Sequence, residues 1–319
     1  HSTADHFSGV HLQTESLSYG AGAKAIYWNY RNMGLFRDTV EVNLEHKIKL
    51  KLNQLDFEHY GTYNLLGAFN GFQTEQSMAY QTGSFTYFLR NKFGKKMPQV
   101  HQRFYSANNT FYNNPNMDLE LYSDQELGVN YRGKGILFSL FYHLGIHRDI
   151  YYFDTQNSNW TNASTLSDNV IHQIRLKGNY SKGNLIVRQS YTFTSVDDDR
   201  LIIPQHYLNG SLDYRMGLFK DKKMEVILGL TYSLSSKTHV VPLIENIGVY
   251  DFLNIDFDNK QKGLFNLGAY SAFEIETFRF FLKVNNLGYL WNDLQWNYIE
   301  GIYLPEVTVR IGVTWDFWN

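Results

Sequence analysis

The sequence predicts an all-β protein, a closed antiparallel transmembrane β-barrel of about fourteen strands. Apolar and polar residues alternate along segments of roughly ten to fourteen residues, which is the length a tilted membrane strand needs. Between these strands, short polar turns alternate with long polar segments. Aromatic residues gather near the strand ends, for example around Tyr27, Tyr289 and Trp315. Barrels of the bacterial outer membrane combine all three features.

The alternation has a period of two residues. Over residues 307–315, apolar residues at the odd positions alternate with Thr, Arg and Gly at the even positions. Segments 40–52 and 224–235 show the same pattern. Because successive side chains of a strand point to opposite faces, each segment is amphipathic as a strand and not as a helix. No run of about 18 apolar residues exists, so the sequence predicts no transmembrane helix.

The same pattern divides most of the chain into strands. They are predicted over residues 19–30, 39–52, 55–67, 72–81, 84–96, 119–131, 135–153, 167–180, 184–196, 206–218, 223–238, 263–275, 277–291 and 305–318. We expect residues 1–17 to form an N-terminal segment on the periplasmic side and residues 18–319 to form the barrel. An even strand number predicts closure of the barrel by the strands at 19–30 and 305–318.

The connections also alternate in length. Tight turns occur at 53–54, 82–83 and 275–276, whereas 97–118 and 239–262 are long and polar. This layout is typical of outer-membrane barrels, with short periplasmic turns and long extracellular loops. A soluble β-sandwich would also alternate, but its strands average only about five or six residues.

If the apolar faces meet lipid, the polar faces meet the lumen. Arg or Lys facing mid-bilayer lipid would cost about 2–4 kcal/mol each, so strand-interior charges are expected to point inward. The predicted pore-lining residues are Glu41, Glu45, Lys47, Lys49, Asp56, Glu58, Glu120, Asp124, Glu126, Arg175, Lys177, Arg188, Asp213, Arg215, Arg279, Lys283 and Arg310.

The signs of these charges are spread unevenly along the chain. Acidic members dominate up to Glu126, and basic members dominate from Arg175 onward. Two interpretations remain open at this point. Either an acidic wall faces a basic wall across a wet lumen, which would favour anions weakly, or the charges pair and help to seal the lumen.

Signatures of catalysis and of cofactor binding are weak. Cys is absent, which excludes thiolate chemistry. His143 and His147 share a strand face but lie four residues apart, about 13 Å at the rise of a strand, which is too far to chelate one metal. Ser139 lies on the same face as His143 and gives only slight support for a membrane-embedded hydrolase. No phosphate loop or dinucleotide fingerprint occurs in the sequence. The net charge of −2 gives no overall positive potential that would attract nucleic acid. We therefore expect no enzyme activity, no cofactor, no metal and no nucleic-acid partner.

Three segments resemble a known family. The final strand, 303–319, resembles the C-terminal strand of outer-membrane barrels from Bacteroidota, which run Tyr-Pro-x-Pro, then a Gly, then Trp-x-Phe. Segment 278–286 is similar to the preceding strand, and 98–111 resembles an extracellular segment of a porin family in that phylum. The resemblance implies an outer-membrane barrel of a Gram-negative bacterium that acts as a diffusion channel, and it implies no particular solute.

Two functions are compatible with these features. The first is a porin-like channel for passive diffusion of small hydrophilic solutes. The second is a non-conducting structural β-barrel, a subunit of a larger outer-membrane complex with a plugged lumen. For both, the expected partners are outer-membrane lipid and lipopolysaccharide, with other outer-membrane or periplasmic proteins as further partners.

Overall fold

The computed structural model describes most of the chain in segments. They are residues 2–32, 35–66, 71–96, 104–107, 110–113, 117–154, 159–162, 169–197, 203–219, 224–240, 243–244, 249–250, 260–261, 263–290, 297–299, 302–303 and 305–315. A 3₁₀ turn covers Leu287–Leu290. Across these segments, no helix has the length and apolar character that a membrane crossing requires.

Strands account for most of the described residues. In chain order they are β1 (Ser2–Gln13), β2 (Leu17–Asn32), β3 (Leu35–Leu52), β4 (Leu55–Leu66), β5 (Phe72–Thr82), β6 (Phe85–Lys96), β7 (Phe104–Ala107), β8 (Thr110–Asn113), β9 (Glu120–Gly133), β10 (Ile136–Arg148), β11 (Tyr151–Asp154), β12 (Asn159–Asn162), β13 (Asn169–Lys182), β14 (Leu185–Val196), β15 (His206–Leu218), β16 (Met224–Ser235), β17 (Thr238–His239), β18 (Leu243–Ile244), β19 (Val249–Tyr250), β20 (Lys260–Gln261), β21 (Phe265–Ile275), β22 (Phe278–Asn285), β23 (Asn297–Ile299), β24 (Ile302–Tyr303) and β25 (Thr308–Trp315).

One large antiparallel sheet dominates the fold. Its fifteen strands follow the order β1-β2-β3-β4-β5-β6-β9-β10-β13-β14-β15-β16-β21-β22-β25, so each strand pairs with the next sheet strand along the chain. The other strands form five two-stranded pairs, β7-β8, β11-β12, β17-β20, β18-β19 and β23-β24, within the long connections. The prediction of an all-β antiparallel fold is therefore confirmed.

The two faces of the sheet differ in chemistry. Large apolar side chains stand exposed on one face, with Leu127 at 58% and Ile311 at 67% of full exposure. A soluble sheet would bury such a face, because apolar surface is driven out of water. The exposed apolar face is what a sheet needs to contact lipid.

Tight turns close one end of the strand pairs. Asn53, Gly83 and Gly183 adopt the left-handed conformation, with φ of 49°, 54° and 58°. Two-residue hairpin turns require positive φ, and Asn and Gly adopt it at little cost. Glu276 takes the same conformation, with φ of 51°, in the turn between β21 and β22. The short turns thus lie where the sequence predicted them.

The N-terminal end of the sheet differs from the prediction. Residues Ser2–Gln13 form β1 and pair with β2, whereas the sequence predicted no strand before residue 19. Since β2 also pairs with β3, both of its edges are occupied, and the predicted closing ladder between 19–30 and 305–318 is wrong. The sheet has fifteen strands where about fourteen were predicted, and no ladder joins β1 to β25 among the described residues.

Candidate functional site

The register of the strands gathers the predicted charged residues on the face opposite the apolar one. Lys49 lies opposite Glu58, and Lys283 lies opposite Arg310. Continuing the alternation from such pairs puts all seventeen predicted residues on this face, which we call the charged face. That these residues line a pore remains a prediction.

The centre of the charged face is organised around Glu126 on β9. Its carboxylate accepts a hydrogen bond from Arg90 of β6 at 2.8 Å and another from Arg175 of β13. The two arginines thus reach one carboxylate from opposite sides, and Arg175 reaches over β10 to do so. Charge-assisted hydrogen bonds of this kind are stronger than neutral ones. The cluster therefore links side chains of three strands, β6, β9 and β13, and crosses a fourth, β10.

Aromatic rings support these arginines. The guanidinium of Arg90 lies 4.8 Å from the ring centroid of Phe88, and that of Arg175 lies 5.7 Å from the ring centroid of Phe141. The two rings pack with centroids 5.4 Å apart. Phe88 can lie across its neighbouring strand because Gly128 faces it, and a Cβ at Gly128 would come within 2.4 Å of the ring. The glycine is therefore required for the geometry of the cluster.

A second cluster surrounds Asp213 on β15, whose exposure is only 1%. Its carboxylate accepts a hydrogen bond from Arg188 at 2.5 Å and another from the hydroxyl of Tyr270 at 2.6 Å. Tyr270 crosses β16 at Gly229, where a Cβ would lie 2.2 Å from the ring. The buried carboxylate is therefore satisfied by partners on both sides.

Most other charges on this face pair locally. Further ion pairs on this face are Lys49–Glu58, Lys92–Glu75, Lys96–Glu120, Arg215–Glu225 and Arg279–Glu274. Each joins neighbouring strands. Of the two interpretations of the charge distribution, these contacts favour paired charges over separate acidic and basic walls.

Two of the cations on this face that have no ion pair lie directly opposite each other. Lys283 and Arg310 are directly opposite each other on β22 and β25, and neither has a carboxylate within 4 Å in the described part of the chain. Like charges directly opposite in a sheet repel each other. Asn285 and Thr308 form the next pair on the same face. Among the described residues, this corner presents hydrogen-bond donors and positive charge without a compensating anion.

The histidines on β10 approach a shared carboxylate. The Nε2 atoms of His143 and His147 lie 3.6 and 3.5 Å from Oδ1 of Asp124. Asp124 lies opposite Gly145, and the missing side chain there leaves room for both imidazoles. No group of three or more potential ligands suited to a metal ion occurs in the described segments. His143 makes no hydrogen bond with Ser139 in the described structure.

A cavity of about 610 Å³ opens on the charged face. Its walls include Lys47, Glu58, Glu75, Arg90, Lys92, Asp124, Glu126, His143 and Arg175. The Glu126 cluster therefore borders free volume rather than a close-packed interior.

Several partners of the predicted residues were not predicted from the sequence. Glu75, Arg90 and Lys92 bind across β5, β6 and β9, and Tyr270 binds Asp213. The signal for the first three was present, because each occupies a polar-face position of an alternating segment. Tyr270 could not be singled out, since its role depends on a glycine one strand away.

One protein family matches nearly the whole sequence. A family described as "Putative porin" matches residues 11–319. The chain belongs to this family. No curated protein matches the chain by sequence. The resemblance to a porin family is thus confirmed over nearly the full length of the chain.

Solved structures show the same fold at low identity. The siderophore receptor PirA from Acinetobacter baumannii matches with a TM-score of 0.68 and 10% identity, covering 99% of this chain and 54% of that one. The FrpB iron transporter from Neisseria meningitidis (F3-3 variant) matches with 0.65 and 11%, covering 98% and 55%. The pyoverdine outer membrane receptor FpvA from Pseudomonas aeruginosa PAO1 matches with 0.65 and 14%, covering 99% and 52%.

The chain spans about half the length of these structures. Identities this low establish the fold alone. Family and fold together point to an outer-membrane barrel protein of Gram-negative bacteria that is related to transport.

Proposed function

We propose that this protein is a porin-like channel of the outer membrane through which small hydrophilic solutes diffuse passively. In this proposal the sheet belongs to a closed barrel with the charged face toward the lumen. The partners are outer-membrane lipid and lipopolysaccharide, and the protein has no catalytic activity. The observation that carries the proposal is the pairing of an exposed apolar face with a charged face that borders a cavity of about 610 Å³.

The chemistry of that cavity supports diffusion of hydrophilic solutes. Charged and hydrogen-bonding groups line it, so this lining interacts more favourably with water and small polar molecules than with large apolar ones. The ion pairs leave most charges locally neutralised, which suits a pore without a tight binding site.

Planar-bilayer recording of the purified full chain tests the proposal. We expect discrete conductance steps that grow in proportion to salt concentration, as in a water-filled pore. Heat-denatured protein at the same concentration is the control. Absence of steps from protein that has inserted into the bilayer would contradict the channel function.

Neutralising two facing, unpaired cations tests ion selectivity. A Lys283→Gln/Arg310→Gln double variant is expected to shift selectivity toward cations, because these two charges lack a carboxylate partner in the described structure. Reversal potentials across a salt gradient measure the shift. The difference between parent and variant should fade with salt, since the screening length falls from about 10 Å at 0.1 M to about 3 Å at 1 M.

The matched control removes a paired set of charges on the neighbouring strands. Arg279 and Glu274 lie 2.9 Å apart, so an Arg279→Gln/Glu274→Gln variant removes one charge of each sign. We expect its reversal potential to equal that of the parent. If both double variants behave alike, the Lys283–Arg310 corner does not set selectivity.

A second candidate is a structural barrel subunit of a larger outer-membrane complex. The ion pairs that cross the charged face favour it, because such networks also stiffen a plugged lumen. Co-purification of a stable partner together with absence of conductance would select this function.

A further inference from the structure

A row of polar side chains crosses the charged face at the level of Lys177. The register of the sheet aligns one such residue from each of the consecutive sheet strands β5, β6, β9, β10, β13, β14, β15, β16 and β21. In that order they are Gln81, Thr86, Asn130, Ser139, Lys177, Ser190, Asn209, Ser233 and Asn266. We call these residues the hydroxyl–amide row, because every member except Lys177 carries a hydroxyl or an amide group.

The hydroxyl–amide row runs from one end of the strands to the other. Gln81 is the penultimate residue of β5, beside the short turn at Gly83. Asn266 is the second residue of β21, at the end of the long connection from β16. Neighbouring strands lie about 4.8 Å apart, so the row is roughly 38 Å long. Because barrel strands tilt by about 35–45°, a row across them also climbs along the barrel axis and connects its turn side with its loop side.

Two cavities follow the hydroxyl–amide row. The walls of one, of about 510 Å³, include the row from Gln81 to Lys177. The walls of the other, of about 340 Å³, include the row from Lys177 to Asn209. No member of the row is buried. The row is therefore accessible from the free volume along the charged face.

The hydrogen-bonding groups of the row are available to a solute. Within the described part of the chain, no member forms a side-chain hydrogen bond or an ion pair, and Lys177 lies with its Nζ atom 5.6 Å from the ring centroid of Phe141. The charged side chains beside the row are engaged, as in the ion pairs Lys49–Glu58 and Arg90–Glu126. A solute thus meets open donors and acceptors along the row and paired charges next to it.

We propose that the hydroxyl–amide row is a diffusion track for elongated, uncharged, polyhydroxylated solutes such as linear oligosaccharides. Hydroxyl and amide groups both donate and accept hydrogen bonds, as sugar hydroxyls do. Such groups recur on successive strands, so a chain of hydroxylated units can exchange bonds to water for bonds to the row one at a time. Ions gain little from a row whose single formal charge is Lys177, and a compact solute uses only a few of its groups. The inference rests on the proposed channel function and names its solute class.

Interruption of the current through single channels in planar bilayers tests the track. The probe is maltohexaose, and the control is polyethylene glycol of the same mass, which has ether acceptors but hydroxyl groups only at its ends. We expect maltohexaose to interrupt the current at concentrations several-fold below those that polyethylene glycol requires. An oligogalacturonate of six units, with a carboxylate on each unit, tests the preference for uncharged solutes. Equal block by maltohexaose and polyethylene glycol, or stronger block by the oligogalacturonate, would overturn the proposal.

A pair of alanine variants locates the effect on the row. Ser190→Ala/Asn209→Ala removes two facing members of the row without narrowing the lumen, and we expect the dissociation constant for maltohexaose to rise several-fold. The matched control is Gln173→Ala/Thr194→Ala, also a cross-strand pair on this face, whose side chains bond to each other at 3.3 Å and are not available to a solute. Its dissociation constant should equal that of the parent. The same change in both double variants would show that the row is not the track.

The two proposals fail in different ways. Conductance that maltohexaose does not interrupt would overturn the track and leave the channel function standing. Absence of conductance from inserted protein would overturn both. The comparison of solutes on the parent channel decides the inference even if a variant does not insert.

Discussion

Replacing Arg188 by Ala is expected to destabilise the folded protein by about 3–5 kcal/mol, because it leaves a buried carboxylate without its cation. Asp213 is 1% exposed, and Arg188 donates to it at 2.5 Å. The hydroxyl of Tyr270 would remain as the only hydrogen-bond donor to that carboxylate among the described contacts. Urea unfolding from lipid vesicles measures the change in the free energy of unfolding.

Two variants control this prediction. Asp213→Ala removes the buried charge itself and leaves Arg188, whose side chain is 48% exposed and retains hydration. We therefore expect a smaller loss from Asp213→Ala than from Arg188→Ala. Arg279→Ala breaks a more exposed pair, with side chains 50% and 33% exposed, and should cost less than about 1 kcal/mol. If all three variants lost the same stability, burial of the Asp213 carboxylate would not be the cause.

Placing an arginine on the apolar face should have the next largest effect. Ile311→Arg is expected to cost about 2–4 kcal/mol if the site is near mid-bilayer, because a guanidinium is poorly solvated in hydrocarbon. Ile311 is 67% exposed, and its neighbours on that face, Val309 and Val313, are exposed as well. Folding yield and urea unfolding in lipid vesicles report the loss.

The matched substitution lies on the charged face. Thr231 on β16 faces Ser211 and Gly268 in register, on the side of the sheet that holds the ion pairs. Thr231→Arg should be tolerated, with little change in unfolding, if that side is wet. Equal damage from the two arginine substitutions would contradict the assignment of the faces.

Local patterns in the sequence account for much of the fold. The alternation in 224–235 and 305–318 predicted both the strands and their faces, because the period of a strand is a property of the backbone alone. The turns at Asn53 and Gly83 were predictable for a similar reason, since few residues accept positive φ. β1 was missed, because only a short stretch of it alternates and the free edge of β2 supplies its hydrogen bonds.

The candidate site was predictable as a set of residues and not as a set of contacts. Alternation alone placed Glu126, Arg175 and Asp213 on the polar face. Which partner each one binds depends on register, and register is set by pairing along the whole sheet. Glu126 lies 49 positions before Arg175 in the chain, yet the two side chains are bonded.

The sequence by itself determined the strand-rich architecture, the separation into an apolar and a charged face, and membership in a porin family. Only the tertiary structure decided how the charges pair and that Lys283 and Arg310 oppose each other. The physical reason is that the face of a residue is fixed by its own position in the strand. Its neighbours are fixed by the register of separate strands, which no local pattern contains.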